Sequence, residues 1–424
     1  MTTSLGYQSV KGRRDTVAVL DIGSSKVACF IAEPDEHEEL RIIGIGHTHA
    51  QGMRGALITD SRAAETAIIG AVNLAEQMAG VTLDNVMVNL SLPQLHSHAM
   101  HVELNISGNE VTDKDISDIL KEGCRSVSRD DREIIHCFVT QYQLDGAKNI
   151  RDPRTMYGMT LKADVHIISV NNSVLLNLSN TLSRCHLDIA EFVAAPYMSG
   201  YGCAENDERD LGVVVIDIGA TETNIALFAN NANIYSGCVP IGGQHVTKDL
   251  AHFLSTNIAQ AERIKTLHGG VYASAHDTQH NIHVPRIGEE DDTGDDAYIS
   301  RAELVNIIHP RMEELCDILL EKIDNAHMQQ FIGAPVIITG GGAQLMGVRE
   351  MMADMFSAKV RIGKPKFFPG LAESVSGTAF SSIVGMLYYA TSRPFEDTLL
   401  ISCGQSRKRP AFIERTWQWL KKNF

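Results

Sequence analysis

Two stretches of the chain share one order of apolar and polar positions. Residues 17–31 read VAVLDIGSSKVACFI, which predicts a buried strand, a tight turn and a second strand. Residues 213–227 read VVVIDIGATETNIAL and predict the same three elements. Because a repeated pattern indicates a duplicated unit, we expect two similar halves that each carry one of these turns.

The rest of the pattern predicts an α/β protein that contains a smaller inserted unit. Strand-like runs alternate with predicted helical segments at residues 61–79, 172–183, 251–283, 300–326 and 373–390. Residues 91–165 carry a β-α-β-β pattern of their own. Pro310 stands inside one helical segment, where its missing N–H predicts a kink or a break.

The first turn carries groups that suit a phosphate. Gly23 allows a tight turn and leaves successive backbone N–H groups free to converge on an anion. Ser24 and Ser25 add hydroxyl donors, and Lys26 adds a positive charge. Asp21 stands where a carboxylate could hold the waters of a Mg²⁺ ion. Taken alone, the motif is equally well explained by a β-hairpin with a polar turn.

The second turn strengthens the phosphate interpretation because it repeats the same positions. Asp217, Gly219, Ala220 and Thr221 take the places of the aspartate, the glycine and the two serines of the first turn. Two turns that face each other would clamp a polyphosphate from both sides.

Two further glycine runs each precede a predicted helix. Gly242 and Gly243 offer another helix N-terminus that favours anions, although a simple strand-to-helix turn explains them too. Gly340, Gly341 and Gly342 follow the apolar strand of residues 336–338, and their lack of Cβ atoms would let the backbone pack flat against a base or a sugar.

Composition excludes several classes of protein. The chain has 424 residues, enough for two or three domains, and its formal net charge of −15 argues against general binding to nucleic acid. Its eight cysteines form no CxxC pair, so we expect a reducing cytosol rather than a zinc site or a disulfide framework. No apolar run approaches the roughly 20 residues that span a bilayer. Residues 1–14 are polar, and we expect them to be disordered.

Two clusters of metal-ligand residue types have ordinary explanations. His96, His98 and His101 fall in a predicted strand, where surface or half-buried histidines are the better interpretation. Residues 289–296, EEDDTGDD, contain six carboxylates whose spacing fits no calcium loop, so a solvated loop is expected.

The C-terminal segment differs from the body in charge and pattern. Residues 407–424 carry a net charge of +5, whereas residues 1–406 carry −20. On a helical wheel, the apolar side chains of residues 412–424 fill one arc of roughly 160°. The apolar residues are Phe412, Ile413, Trp417, Trp419, Leu420 and Phe424, and the basic residues opposite them are Arg415, Lys421 and Lys422. This pattern predicts a helix that lies in the surface of an anionic membrane, and a helix docked on the core is the alternative.

Five segments occur in an order that resembles the motif set of the actin/Hsp70/sugar-kinase superfamily. They are DIGSSK, EFVAAPYMSGYG, VVVIDIGATETNIAL, VIITGGGAQLMG and ESVSGTAFSSIVGML. Within that superfamily, the runs PIGGQHVTKDLA, AERIK and ISRAELVNIIHPRMEEL and the insert resemble the FtsA family of bacterial cell-division proteins. The resemblance implies an α/β, actin-like (ribonuclease H-like) two-lobed ATPase fold with a small β-α-β-β inserted subdomain.

The resemblance also implies a division of the chain into domains. Residues 15–90 and 166–203 would form the first actin-like lobe, and residues 204–243 and 331–390 the second, with residues 244–330 as its subdomain on the adenosine side. The insert 91–165 would serve self-association and partner binding. Residues 391–410 would be a linker to the membrane-targeting helix 411–424.

Site residues follow from the same resemblance. Asp21 and Asp217 would orient the water shell of Mg²⁺. The residues expected at the phosphates of ATP are Gly23, Ser24, Ser25, Lys26, Gly219, Ala220, Thr221, Gly242 and Gly243. The residues expected at the nucleoside are Glu262 and Lys265 for the ribose and Gly340, Gly341 and Gly342 for the adenosine. Arg301 and Glu303 are candidate contacts with FtsZ.

The function that the resemblance implies is that of a peripheral protein on the cytoplasmic side of the inner membrane. Such a protein binds ATP, anchors the tubulin-like FtsZ ring, self-associates and recruits later division proteins. A sugar or acid kinase of the same superfamily is the main alternative, although its acceptor base is not identifiable here. An Hsp70-like chaperone lacks room for its peptide-binding domain. No residue stands out as a water-activating group, so hydrolysis of ATP is left open.

Overall fold

The computed structural model describes residues 16–37, 39–127, 131–285 and 297–391. Several predictions concern residues outside these ranges, namely residues 1–14, the acidic run 289–296, the linker beyond Thr391 and all the membrane residues of the segment 411–424. Within the described ranges, no helix combines the length and the apolar character that crossing a membrane requires.

The first part of the first lobe, which precedes the insert, runs from a buried hairpin to strand β6 (Asn85–Leu90). Its elements are β1 (Val17–Ile22), β2 (Lys26–Pro34), β3 (Leu40–His49), β4 (Met53–Arg54), β5 (Leu57–Ile58), α1 (Ser61–Ala79) and β6 (Asn85–Leu90). The turn between β1 and β2 lies where the sequence predicts it. Helix α1 begins after Asp60, whose side chain accepts hydrogen bonds from two backbone N–H groups, and ends at Gly80 in the left-handed conformation.

The insert folds as a four-stranded antiparallel sheet with one helix. Its elements are β7 (His96–Asn105), α2 (Asp113–Val127), β8 (Arg132–Leu144), β9 (Ala147–Ile150) and β10 (Thr160–Asn171), and the strand order is β7-β10-β8-β9. The short edge strand β9 adds to the predicted β-α-β-β pattern. Its AKNI sequence is mostly exposed and has no apolar alternation that would have revealed it.

Strand β10 of the insert runs past the predicted boundary at residue 165, and the buried His166 on this strand anchors the insert to the second lobe. Its Nδ1 atom lies 2.9 Å from the backbone carbonyl of Asn233, and its Nε2 atom lies 2.5 Å from Ser97 Oγ. A carbonyl only accepts, so Nδ1 carries the proton and Nε2 accepts from the serine. Burial lowers the pKa of His166 to about 3, so this contact is made by a neutral ring at physiological pH.

After the insert the chain completes the first lobe. It forms α3 (Asn172–Arg184), β11 (Asp188–Ala194) and α4 (Ala195–Cys203). The sheet has the strand order β11-β6-β1-β2-β3, with an antiparallel β1-β2-β3 meander and parallel pairing of β1, β6 and β11.

The second lobe repeats this architecture. Its first elements are α5 (Asn206–Leu211), β12 (Val213–Ile218), β13 (Thr223–Ala229) and β14 (Ala232–Val239). A subdomain follows with α6 (Gly243–Phe253), α7 (Ile258–His268), β15 (Asn281–Val284), β16 (Ala297–Ser300) and α8 (Arg301–Asn325). The lobe continues with β17 (Val336–Thr339), α9 (Val348–Phe356) and β18 (Val360–Ile362), and the last helix, α10 (Ser381–Thr391), packs its buried side chains into the core of the first lobe. The sheet order of the second lobe is β14-β13-β12-β17-β18. The first-lobe sheet, read from its other edge, is β3-β2-β1-β6-β11, so the two sheets match strand for strand, which confirms the predicted duplication.

Three helix predictions need correction. The segment 251–283 is helical only at its first three residues, which end α6, and in α7, which stops before Gly269 and Gly270; the chain then returns as strand β15. The segment 373–390 forms two short 3₁₀ turns before α10 begins at Ser381. Helix α8 is not broken at Pro310, so of the predicted kink or break the break is wrong; buried side chains on both sides of the proline hold the helix against the core.

Candidate functional site

The two duplicated turns have the same internal geometry. In the first, the Gly23 N–H donates to the Lys26 carbonyl at 3.0 Å, and in the second the Gly219 N–H donates to the Glu222 carbonyl at 2.9 Å. The lysine and the glutamate therefore occupy equivalent positions, although their charges are opposite.

The turns meet between the lobes. Ser24 Oγ lies 2.5 Å from Thr221 Oγ1, and the Gly55 N–H donates to Ser24 Oγ at 2.5 Å. Residues that are 197 positions apart in sequence are thus in direct contact. The structure brings together the hydroxyl groups that the sequence assigns to a phosphate.

The paired aspartates end the first strands of the two sheets, directly before these turns. Asp217 accepts a hydrogen bond from Ser199 Oγ at 2.5 Å, and Asp21 accepts one from Asn89 Nδ2 at 3.0 Å. Burial raises the pKa of Asp217, and the negative charge of Asp21 raises it further, while the hydrogen bond from Ser199 and the charge of Lys26 lower it. The two carboxylates are therefore close enough to interact, and each is oriented by a polar neighbour.

Asn89 is a site residue that the sequence analysis missed. The residue is 3% exposed, and its amide group donates to Asp21 and, at 2.6 Å, to Ser382 Oγ on α10. Among the described residues, its Oδ1 atom has no hydrogen-bond donor. A single amide inside the apolar run VMVNL of β6 was the available signal.

This donor set fits Mg²⁺. The ion prefers oxygen ligands and keeps several waters, which are held by one or two carboxylates. Asp21 and Asp217 could supply the carboxylates, and the buried oxygen of Asn89 could accept a hydrogen bond from such a water.

The glycine run after β17 forms part of the same cleft. A Cβ atom at Gly340, whose φ is +84°, would lie 2.3 Å from Asp217 Oδ1, and one at Gly342 would lie 2.3 Å from Ile218 Cγ2. A Cβ atom at Gly341 would meet no atom within 4 Å. Two of the three glycines therefore permit close packing on β12, and the third faces open space that suits a planar ligand.

The glycine pair before α6 packs against the second turn. The Gly243 N–H donates to the Gly219 carbonyl at 2.9 Å, and a Cβ atom at Gly242 would lie 2.6 Å from the same carbonyl. The structure therefore gives the Gly243 N–H an acceptor within the protein, and the pair serves to bring the start of α6 against the turn.

Glu262 and Lys265 form a network between α6 and α7. Lys265 Nζ lies 2.7 Å from Glu262 Oε2 and 3.0 Å from the Gly243 carbonyl. The lysine side chain is 16% exposed and the glutamate side chain is 49% exposed. Glu262 thus keeps a free edge for a ligand, whereas Lys265 mainly ties the two helices together.

Lys26 has partners in the segment just before α10. Its Nζ atom donates to the Ala379 carbonyl and lies 4.4 Å from the ring centroid of Phe380. The first turn is thereby joined to the segment that leads into α10.

The candidate FtsZ contacts lie on α8, in the subdomain. Arg301 pairs with Asp277 and donates to the His268 carbonyl at 3.1 Å, so only 14% of its side chain is exposed. Glu303 is exposed and caps its own helix by accepting from the N–H of Ser300 at 2.9 Å. The structure therefore gives Arg301 an internal role and leaves Glu303 more accessible.

The histidines of β7 are spread along the strand. His98 Nε2 lies 3.2 Å from Ser169 Oγ, and His101 Nδ1 lies 2.7 Å from Asp164 on the neighbouring strand, an acid that the sequence analysis did not pair with it. In the part of the chain that the structure describes, no group of three histidine, cysteine or acidic residues could hold a metal ion.

Comparison with known proteins gives consistent results along the whole chain. The family described as "Cell division protein FtsA" matches residues 214–385, and the one described as "SHS2 domain inserted in FTSA" matches residues 93–169. The Cell division protein FtsA of Agrobacterium fabrum is 36% identical over 428 residues, covering 97% of this chain and 96% of the relative. That of Escherichia coli K12 is 28% identical over 418 residues, covering 97% and 99%.

Solved structures support the fold. The "PilM-PilN type IV pilus biogenesis complex" matches with a TM-score of 0.61 at 14% identity, covering 90% of this chain and 100% of that chain. MreB5 of Spiroplasma citri bound to ADP matches with a TM-score of 0.52 at 15% identity, covering 89% and 96%. The predicted actin-like α/β architecture with an inserted subdomain is confirmed.

Proposed function

The chain belongs to the FtsA family of cell-division proteins, and on this premise we propose that it binds Mg-ATP between its lobes and anchors FtsZ to the inner membrane. One observation carries the nucleotide part of the proposal. Two duplicated turns touch through their hydroxyl groups, and a carboxylate stands behind each of them.

The chain's own residues would divide the work as follows. Ser24, Ser25 and Thr221 would donate hydrogen bonds to the phosphates, and Asp21 and Asp217 would hold the waters of the metal ion. The bound Mg²⁺ offsets the negative charge of the triphosphate. Because Ser24 and Thr221 already touch at 2.5 Å, nucleotide binding would replace this contact with two contacts to the ligand.

The nucleoside end would lie on the second lobe. Gly341 offers an open surface for adenosine, and the exposed edge of Glu262 would accept hydrogen bonds from the ribose hydroxyls. The MreB5 structures, which were solved with ADP and with AMPPNP, support a nucleotide in this fold. A ligand bound by both lobes favours one arrangement of the lobes, and we assign ATP this role whether or not it is hydrolysed.

Isothermal titration with Mg-ATP tests the nucleotide site. Wild type should bind, and Asp217→Ala should abolish binding because it removes one of the two carboxylates behind the turns. Asp207→Asn, which changes an exposed acid on α5, is the matched control and should keep the wild-type affinity. Unchanged affinity in Asp217→Ala would rule out this arrangement.

The proposed role in division assigns a partner to each peripheral part. The subdomain of residues 244–330 would contact FtsZ, with Glu303 as the more accessible candidate and Arg301 as the second. The insert of residues 91–165 would serve self-association and contact with other division proteins. A pull-down with FtsZ separates this proposal from the sugar or acid kinase, which has no reason to retain FtsZ.

Membrane attachment is proposed through residues 411–424. Flotation with anionic liposomes should carry the full chain, and it should fail when Trp417 and Trp419 are replaced by alanine or when the lipids are neutral. A chain truncated after Gln405 that still floats would refute the anchor.

A further inference from the structure

Glu222 is an acidic residue at the position of the second turn where the first turn has the basic residue Lys26. It closes the second turn as Lys26 closes the first, and the residue is 4% exposed. A buried carboxylate beside a proposed polyphosphate site is unfavourable if it stays ionised, because both groups are negative.

The carboxylate of Glu222 crosses from the second lobe to the first. Ser91, which follows β6, donates to Glu222 Oε2 at 3.0 Å. A Cβ atom at Gly55 would lie 2.2 Å from Oε2 and 2.6 Å from Oε1, so the carboxylate packs directly on the Gly55 backbone. The N–H of the same glycine donates to Ser24 Oγ, which touches Thr221. Glu222 therefore shares its surroundings with both hydroxyl groups assigned to the phosphates.

The charged and titratable groups around Glu222 do not neutralise it. Arg54, on β4, is the cation that acts on it, and the described part of the chain shows no ion pair to its carboxylate. Cys238 on β14 is close enough to be affected by the charge of Glu222, and burial raises its pKa well above the ordinary value, so that this thiol stays neutral. Burial raises the pKa of Glu222 to about 7, against the lowering effects of Ser91 and Arg54.

We propose that Glu222 takes up one proton from solvent when a nucleoside triphosphate occupies the two turns. The proton adds to a carboxylate oxygen and gives a neutral acid that can donate a hydrogen bond. The negative charge of the triphosphate favours this neutral form. The inference rests on the proposed nucleotide site and adds to it a linkage between proton and nucleotide binding.

Titration calorimetry measures this linkage directly. Mg-ATP is titrated into the full chain at pH 7.5 in buffers that differ in ionisation enthalpy, and the dependence of the heat on the buffer gives the number of protons taken up. With a pKa near 7, roughly three quarters of Glu222 is ionised before binding, so wild type should take up as much as ~0.7 proton per nucleotide. Glu222→Gln should lose this uptake and still bind.

Two further variants sharpen the measurement. Glu122→Gln, an exposed acid on α2, is the matched control and should keep the wild-type uptake. Ser91→Ala removes the hydrogen bond that favours ionised Glu222. A larger fraction of Glu222 is then protonated before nucleotide binds, so the number of protons taken up on binding should be smaller. This second variant also keeps the test decisive if Glu222→Gln does not fold.

The outcomes separate the two claims. If wild type shows no Mg-ATP binding, the nucleotide site is wrong and this inference falls with it. If wild type binds and the uptake is zero, or equal in wild type, Glu222→Gln and Ser91→Ala, the nucleotide site stands and the role of Glu222 is overturned.

Discussion

Replacing Gly385 by alanine should loosen the crossing of α4 and α10, the two helices that meet between the lobes. A Cβ atom at Gly385 would lie 1.8 Å from the Met198 carbonyl oxygen on α4. The reciprocal position, Gly202, would place a Cβ atom 1.8 Å from the Ser381 carbonyl oxygen. Both obstacles are helix backbone, so no side-chain rotation can relieve them.

The size of the effect follows from these distances. Real Cβ atoms essentially never come within 3.0 Å of such an atom, so the helices must separate by at least 1.2 Å. Overpacking of this kind costs about 1–3 kcal/mol, and the upper end applies here because backbone must move. Alanine has a higher helix propensity than glycine, which offsets about 1 kcal/mol of this loss of stability. We therefore expect a net loss of about 2 kcal/mol of stability.

Urea unfolding and calorimetry check this value. With about 2.1 cal/mol/K of unfolding entropy per residue, 2 kcal/mol lowers the Tm of a chain of this length by roughly 2–3 °C. Gly202→Ala should behave alike, and the double variant should lose less than the sum, because the first change already separates the helices. Mg-ATP binding should weaken as well, since α4 carries Ser199 and α10 carries Ser382.

The matched control is Gly377→Ala, where a Cβ atom meets nothing within 4 Å and φ is −74°. It should leave the Tm unchanged or slightly raised. If Gly385→Ala and Gly377→Ala unfold at the same urea concentration, the close crossing is not under the packing constraint deduced here.

Three further predictions concern other parts of the molecule. Gly340→Ala should lower both the Tm and the Mg-ATP affinity, because φ is +84° and the Cβ atom would lie 2.3 Å from a carboxylate oxygen. Gly341→Ala should lower only the affinity, because a Cβ atom there meets no atom within 4 Å. Equal Tm values for the two variants would contradict this. Arg301→Ala and Asp277→Ala should lower the Tm by similar amounts in thermal unfolding, and the double variant should have a Tm no lower than that of either single variant. A double variant whose loss of Tm equals the sum of the two single losses would contradict this. Because the pKa of Glu222 rises from 4.5 to about 7 on folding, this side chain binds more proton in the folded protein than in the unfolded chain, so its contribution to stability falls as the pH rises from about 5 to 8. In urea unfolding, Glu222→Gln should therefore gain as much as roughly 3 kcal/mol over wild type across that range, and a difference that does not change with pH would oppose it.

The duplicated sheets and turns were predictable because their signals are local. Each strand is a short apolar run, each turn has an aspartate and a glycine at a fixed offset, and the two copies confirm one another. The same locality explains why the end of α7 could have been found. Gly269 and Gly270 stand next to each other in the sequence and interrupt the helical pattern there.

The hydrogen bonds that hold the site residues in place were not predictable, because they join residues that are far apart in the sequence. Ser91 and Glu222 are 131 positions apart, and Asn89 and Ser382 are 293 positions apart. The sequence shows that Glu222 is an acid in a turn, but only the fold shows that it is buried against the other lobe. For the same reason, no local pattern shows that the Gly243 N–H already has an acceptor inside the protein.

A crystal structure of the full chain grown with Mg²⁺ and AMPPNP tests the central claim most directly. We expect the triphosphate between the turns of Ser24 and Thr221, the 2.5 Å contact of these hydroxyl groups opened, and a hydrated Mg²⁺ ion held through Asp21 and Asp217. A nucleotide bound elsewhere, or both turns still in contact with each other beside an empty cleft, would contradict the account.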